Sequence, residues 1–177
     1  MTSRTGFSTL DNALSDLHLG ELRILETIPH KNKCTLSPSS VINTCIMENR
    51  SVFLASLNND KVRLVEDIIC NQAGINIKNY NLGHLNKRAW KKLARASGQL
   101  SSANIFIDDR LRAVADIIAT AKKLKAEKNI ELIIITSLKL IRTSQDFNNR
   151  NEEDTTIVHA LKTLAEELKL QIIILSP

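Results

Sequence analysis

A short polar segment between two regular patterns contains the residues best suited to bind phosphate. It occupies residues 29–35 and reads PHKNKCT, after an apolar run and before a stretch with helical spacing. A lysine separated by one residue from a hydroxyl, in the turn from a strand to a helix, is typical of loops that hold phosphate oxygens. The alternative is that this lysine is a solvated loop residue. The candidate nucleotide contacts are Pro29, Asn32, Lys33, Cys34 and Thr35.

The cysteines and histidines do not form a recognisable metal motif. His30 and Cys34 have a spacing that metal ligands use, but Cys45 and Cys70 are too far along the chain to complete a defined site. We therefore predict no metal ion. Three cysteines, an odd number without a close pair, also argue against a secreted protein held together by disulfides.

A basic segment at residues 87–95, KRAWKKLAR, contains the only tryptophan of the chain and no carboxylate. On a helix, Trp90, Leu93 and Ala94 are expected to face inward and the cations outward. Such a surface suits phosphate or an acidic partner, although a solvated helix face over a buried tryptophan explains the pattern equally well. The candidate contacts are Lys87, Arg88, Lys91, Lys92 and Arg95.

Length and composition indicate one globular domain of 177 residues. Hydrophobic residues make up 43% and charged residues 24%, which excludes a disordered chain or a collagen-like fibre. Only 3% are aromatic, so the core must be aliphatic, and the net charge of +5 suits an acidic partner such as nucleic acid. A polar amino terminus, and the lack of an apolar run of about eighteen residues, predict a cytoplasmic protein without a membrane segment.

Several apolar runs predict β-strands. Two of them, IELIIIT and QIIIL, are continuous rather than alternating, which is typical of parallel strands buried on both faces. The predicted strands cover residues 22–28, 51–57, 104–108, 130–136 and 171–175.

Stretches with helical spacing lie between these runs. Asp60 is expected to end a turn and cap a helix, and further helices are predicted at residues 111–128 and 154–168. Asp108 and Asp109 are expected to end a strand and cap the helix that follows. This alternation implies βαβ units and a parallel sheet covered by helices on both faces. Ligands of such sheets bind at the carboxyl ends of the strands.

Seven segments form a further pattern along nearly the whole chain: TGFSTLD, LGEL, PHKNKCT, SVFLASLN, NIFIDD, LIIITSLKL and ALKTLAEEL. In this order they resemble the RecA-like core of DnaB-type replicative helicases. The resemblance implies that residues 1–177 form a single three-layer α/β/α RecA-like domain of the P-loop NTPase type, with a mainly parallel central sheet. The polar stretch 142–154 would be a flexible loop of this domain.

The chain departs from the family at the positions that carry its chemistry. Asn32 stands where the family has glycine, and its side chain would crowd the phosphates. Cys34 replaces the hydroxyl that binds magnesium, with Thr35 one position away. Thr136 occupies the Walker B aspartate position, and Asn58 occupies the position of the catalytic glutamate. Loss of a general base alone typically lowers the rate by about 10²–10⁴.

The resemblance also bears on assembly and on DNA. We expect the family's later elements, including an arginine finger, to be missing, which favours a monomer or dimer over the family's hexamer. The family's loops that face its DNA channel would follow Thr136 and Leu175. There Lys139 and Arg142 are candidate contacts for nucleic acid or a partner.

The leading hypothesis is a degenerate DnaB-like domain, a pseudo-ATPase that needs no cofactor. It would act in DNA replication by binding a replicative helicase, a loader, another replisome protein or single-stranded DNA. One alternative is a divergent ATP-dependent helicase subunit that uses ATP and magnesium through Lys33 and Thr35. The second is a nucleic-acid-binding module with no nucleotide role.

Overall fold

In the part of the chain that the structure describes, five parallel strands form the central sheet. The computed structural model describes residues 18–26, 37–145, 147 and 149–176. The strands pair in the order β1-β5-β4-β2-β3. Because every pair is parallel, all strands end at one side of the sheet, here called the carboxyl edge, and begin at the opposite amino edge. The strands are β1 (Leu22–Glu26), β2 (Val52–Ala55), β3 (Ile105–Asp108), β4 (Leu132–Ile135) and β5 (Gln171–Ser176).

Helices cover both faces of this sheet. In chain order, the first and second helices pack on one face of the sheet, and the fifth and sixth helices pack on the other face. The third and fourth helices pack against the second helix. A short 3-10 turn at Leu138–Leu140 follows β4. The helices are α1 (Pro38–Met47), α2 (Lys61–Ala73), α3 (Ile77–Asn81), α4 (Lys87–Ser102), α5 (Val114–Lys128) and α6 (Arg150–Leu168).

Successive residues of the strands enter two separate cores. Leu54 and Ile134 pack with α1 and α2, whereas Phe53 and Ile133 pack with α5 and α6, and all four are almost fully buried. Burial on both faces explains why the strand sequences are continuously apolar. The predicted α/β fold with a parallel sheet is confirmed.

The helix boundaries agree with the predictions at α2 and differ at α5 and α6. Asp60 caps α2 as predicted, because its Oδ1 accepts a hydrogen bond of 2.9 Å from the Arg63 amide. Helix α6 begins at Arg150, four residues earlier than expected, and Asn149 caps it. The predicted loop is therefore shorter, since residues 150–154 form the first turns of a helix.

Helix α5 begins at Val114 rather than at residue 111 because the backbone just before Val114 forms a β-bridge with Arg142. The Arg142 amide donates to the Arg112 carbonyl at 2.8 Å, and the Val114 amide donates to the Arg142 carbonyl at 2.9 Å. This bridge joins the loop after β3 to the loop after β4. Within the ranges described, no helix combines the length and the apolar character needed to cross a membrane.

Candidate functional site at the carboxyl edge

Asn58 and Thr136 meet at the carboxyl edge, where neighbouring strands β2 and β4 end. Ala55 pairs with Ile135, so the residues that follow them lie side by side. Thr136 is 5% exposed, and its Oγ1 accepts a hydrogen bond of 2.8 Å from the Leu57 amide. The Asn58 Nδ2 donates to the Thr136 carbonyl at 3.4 Å. The two positions marked by the family resemblance therefore belong to one site.

Two buried serines lie next to this pair in the sequence. Ser56 and Ser137 are buried, and the Ser56 hydroxyl donates to the Asn59 carbonyl at 2.7 Å. A threonine, an asparagine and two serines offer hydrogen bonds to a ligand but carry no charge. The arrangement holds the two strand ends together.

The carboxylates that follow β2 and β3 hold the backbone of this edge. The Lys61 amide donates to Asp109 Oδ2 at 2.7 Å, and the Arg110 amide donates to Asp108 Oδ1 at 2.9 Å. The expectation that this aspartate pair caps the following helix is therefore wrong. Asp109 instead joins Asp60 at the start of α2, and α5 begins without a side-chain cap because its leading segment turns to pair with Arg142.

The predicted phosphate loop lies outside the described residues, so its members Pro29, Asn32, Lys33, Cys34 and Thr35 have no structural account. The elements on either side of it are described. Strand β1 ends at Glu26, and α1 begins at Pro38, with the Ser37 Oγ accepting a hydrogen bond of 3.2 Å from the Ser40 amide. The predicted change from strand to helix at the carboxyl edge is confirmed.

The basic helix α4 has a different buried face from the one predicted. Trp90 is 55% exposed and Ala94 is exposed, whereas Leu93 and Ala96 pack against α2. The expectation that Trp90 and Ala94 face inward is wrong, because the axis of contact with α2 runs through Leu93 and Ala96. Five cations of α4 are exposed and form no ion pair with any described residue: Lys87, Arg88, Lys91, Lys92 and Arg95.

The loop after β4 presents its two candidate cations to solvent. Lys139 and Arg142 are exposed, and the Arg142 guanidinium donates to the Lys139 carbonyl at 2.9 Å. Arg110 and Arg112 come to the same edge through the backbone bridge to Arg142. These two arginines were not predicted from the sequence, because they follow β3 and only the backbone bridge between the loops brings them to the edge that holds Arg142.

The described cysteines are not reactive groups. Burial raises the pKa of the Cys45 thiol to about 12, and burial also raises the pKa of Cys70. Neither is poised as a nucleophile, because the thiolate is the reactive form. Among the described residues, no three His, Cys, Asp or Glu side chains cluster closely enough to hold a metal ion. His30 and Cys34 lie outside the described residues.

Comparison with known proteins gives a match along almost the whole chain. The family model for the DnaB-like helicase C terminal domain matches residues 3–177. The replicative DNA helicase DnaB of Geobacillus stearothermophilus is 35% identical over 174 residues, and the replicative DNA helicase DnaC of Bacillus subtilis is 33% identical over 175 residues. Each match covers 97% of this chain and 38% of the relative. The chain therefore spans well under half the length of these relatives.

Solved structures show the same fold. A DnaB-like replicative helicase, described together with its interactions with primase, has a TM-score of 0.82 at 22% identity over 98% of this chain and 42% of its own. A further solved ATPase domain has a TM-score of 0.81 at 21% identity, over 98% of this chain and 62% of its own. The predicted RecA-like architecture is confirmed.

Proposed function

This chain belongs to the DnaB-like helicase C-terminal domain family, and we propose that it is a member without ATP hydrolysis. The observation that carries the proposal is that the neutral side chains of Asn58 and Thr136 meet where β2 and β4 end. The family resemblance assigns these two positions to the catalytic glutamate and the Walker B aspartate. Magnesium prefers charged oxygen ligands, and an amide cannot take a proton from water. The donor set at this edge therefore does not fit a magnesium-bound nucleotide poised for hydrolysis.

The neighbouring carboxylates support this proposal because each already has a structural partner. Asp60 and Asp109 accept hydrogen bonds from the first turn of α2, and Asp108 accepts one from the amide of Arg110. Recruiting one of them as a base or a metal ligand would break a helix cap or a turn. The divergent-ATPase alternative needs such a replacement.

Phosphate release from ATP in the presence of magnesium tests the proposal. We expect the wild-type protein to release phosphate no faster than the variant Lys33→Ala. Hydrolysis that requires magnesium and disappears in Lys33→Ala would contradict the proposal and favour the divergent ATPase. Calorimetric titration with ATP then separates a pocket that still binds nucleotide from one that does not.

We propose that the domain acts in DNA replication, in the cytoplasm, by binding other replisome proteins. Family membership supports a role in replication, and the net charge of +5 suits an acidic partner. A replicative helicase protomer, a helicase loader and primase are the proposed partners. Sedimentation of the purified chain with each purified partner tests this, and sedimentation as separate species with all three would overturn it.

Binding of single-stranded DNA is the second candidate function. The observation that favours it is the cluster of exposed cations at the carboxyl edge, formed by Arg110, Arg112, Lys139 and Arg142. Affinity for an oligo-dT strand should then fall steeply as salt increases. Replacing Lys139 and Arg142 with alanine should weaken this affinity more than replacing Lys87 and Lys91 of α4 with alanine.

A further inference from the structure

A groove opens at the amino edge of the sheet, at the end of the molecule opposite Asn58 and Thr136. Helix α1 ends at Met47 just before β2 begins, and α4 ends at Ser102 just before β3 begins. The carboxyl termini of both helices therefore reach the amino edge. With the end of α2 at Ala73 they enclose a groove of about 590 Å³.

Two cations line this groove without a partner. Lys92 and Arg95 are exposed, and neither forms an ion pair or a hydrogen bond with any part of the chain that the structure describes. No carboxylate is among the residues that line the groove. The two side-chain cations would pair with an anionic group, against the partial negative charge of the helix carboxyl termini.

An amide pair beside the groove contains a buried acceptor. The Gln72 Nε2 donates to the Gln99 Oε1 at 3.1 Å, which joins α2 to α4. The Gln72 Oε1 is buried and has no hydrogen-bond partner among the described residues. A buried acceptor left unpaired costs free energy, so this oxygen favours a ligand that brings a donor.

Apolar side chains make up part of the remaining lining, beside the polar Asn49 and Ser102. Met47 is 63% exposed at the rim, and Ile46, Ala73 and Ala96 continue the apolar lining. An unbranched thioether fits side chains of different shapes. None of the lining residues is aromatic, so nucleic-acid bases would find no stacking surface here.

We propose that this groove binds a short acidic segment of a partner protein. A carboxylate of the segment pairs with Lys92 and Arg95, the Gln72 amide rotates so that its Oε1 accepts a hydrogen bond from a backbone N–H, and an aliphatic side chain covers Met47. The proposal stands apart from the loss of ATP hydrolysis, because the groove and the carboxyl edge lie at opposite ends of the sheet.

Methyl NMR gives a direct test, since the chain has only two methionines, Met1 and Met47. The protein carries ¹³C-methyl methionine, and the Met47 signal is assigned with the variant Met47→Leu. The probe is a synthetic peptide of alternating glutamate and leucine, and the matched peptide has glutamine in place of each glutamate. We expect only the acidic peptide to shift the Met47 signal, in a saturable manner.

Charge reversal within the groove tests whether Lys92 and Arg95 bind the acidic peptide. Changing Lys92 and Arg95 to glutamate should weaken peptide binding by about tenfold or more, measured by fluorescence anisotropy. The matched control changes Lys87 and Lys91 to glutamate, which alters the net charge equally outside the groove, and should weaken binding by about twofold or less. Circular dichroism on both variants confirms that they remain folded.

Three results would overturn the proposal. The first is an unshifted Met47 signal at saturating acidic peptide. The second is an equal loss of affinity in the groove variant and the control, which would indicate general attraction to a basic surface. The third is a Met47 shift with oligo-dT that the acidic peptide cannot displace, which would assign the groove to nucleic acid.

Discussion

The Leu57 amide donates a hydrogen bond of 2.8 Å to the Thr136 hydroxyl, between residues 79 apart in the sequence. This contact joins the end of β2 to the end of β4 beneath the carboxyl edge. It uses an uncharged oxygen at a position where the family resemblance leads one to expect an aspartate. Thr136 thus has a structural role of its own.

Removing this acceptor should destabilise the fold. The substitution Thr136→Val keeps the shape of the side chain but leaves the buried Leu57 amide unpaired, so the free energy of unfolding should fall by about 1–3 kcal/mol. Urea unfolding followed by circular dichroism measures it. The matched control, Thr163→Val on the exposed face of α6, should change stability by less than about 0.5 kcal/mol. Equal stability of Thr136→Val and wild type would contradict the structural role.

Asp109 should stabilise α2 from a distant part of the chain. Its Oδ2 accepts a hydrogen bond of 2.7 Å from the Lys61 amide, one of the amides without a partner within the helix. Asp109→Ala should therefore lower the free energy of unfolding by about 0.5–2 kcal/mol. Asp109→Asn retains an acceptor oxygen and should lower it less. If both variants lost the same stability in urea titrations, charge rather than capping would be responsible.

Burial of Cys45 makes stability depend on alkaline pH. Desolvation raises its pKa from 9.0 to about 12, so the folded protein keeps a proton that the unfolded chain releases above about pH 9. The stabilisation is complete below pH 9 and is lost as the pH rises toward 12, by about 1.4 kcal/mol per pH unit.

Comparing wild type with Cys45→Ala at several pH values separates the effect of the Cys45 thiol on the pH dependence of the unfolding free energy from the effect of the lysines. The difference in unfolding free energy between the two proteins should narrow between about pH 9 and about pH 11. A constant difference over that range would show that the Cys45 thiol has the same pKa in the folded and the unfolded protein. Thiol-specific reagents should likewise modify Cys45 only after unfolding.

Trp90 should behave as a solvent-accessible fluorophore among cations. It is 55% exposed on α4, one helical turn from Lys87. Its emission should lie near that of free tryptophan and change little on unfolding, and iodide should quench it efficiently because cations attract the anion. Lys87→Glu should reduce quenching by iodide but not by neutral acrylamide. Blue-shifted emission that resists iodide would place the indole in a buried site.

Part of this fold and site could be predicted because local patterns encode it. Continuous apolar runs such as residues 132–135 indicated strands buried on both faces, and Asp60 indicated a helix start. The resemblance to the family placed Asn58 and Thr136 at the carboxyl edge. Burial and capping depend on spacing within a few residues, so one sequence is enough to reveal them.

Other features depend on contacts between distant segments, which spacing does not encode. The inward face of α4 was predicted wrongly at Trp90 because its position follows from how Leu93 and Ala96 meet α2. Asp109 was assigned to the following helix, yet its partner is Lys61, 48 residues earlier in the chain. Local sequence patterns were enough to predict which residues are buried in strands and which can cap a helix. The partners of these residues and the groove beside Met47 depend on the tertiary fold, because packing of the sheet and helices fixes which backbone and side-chain groups come within hydrogen-bonding distance.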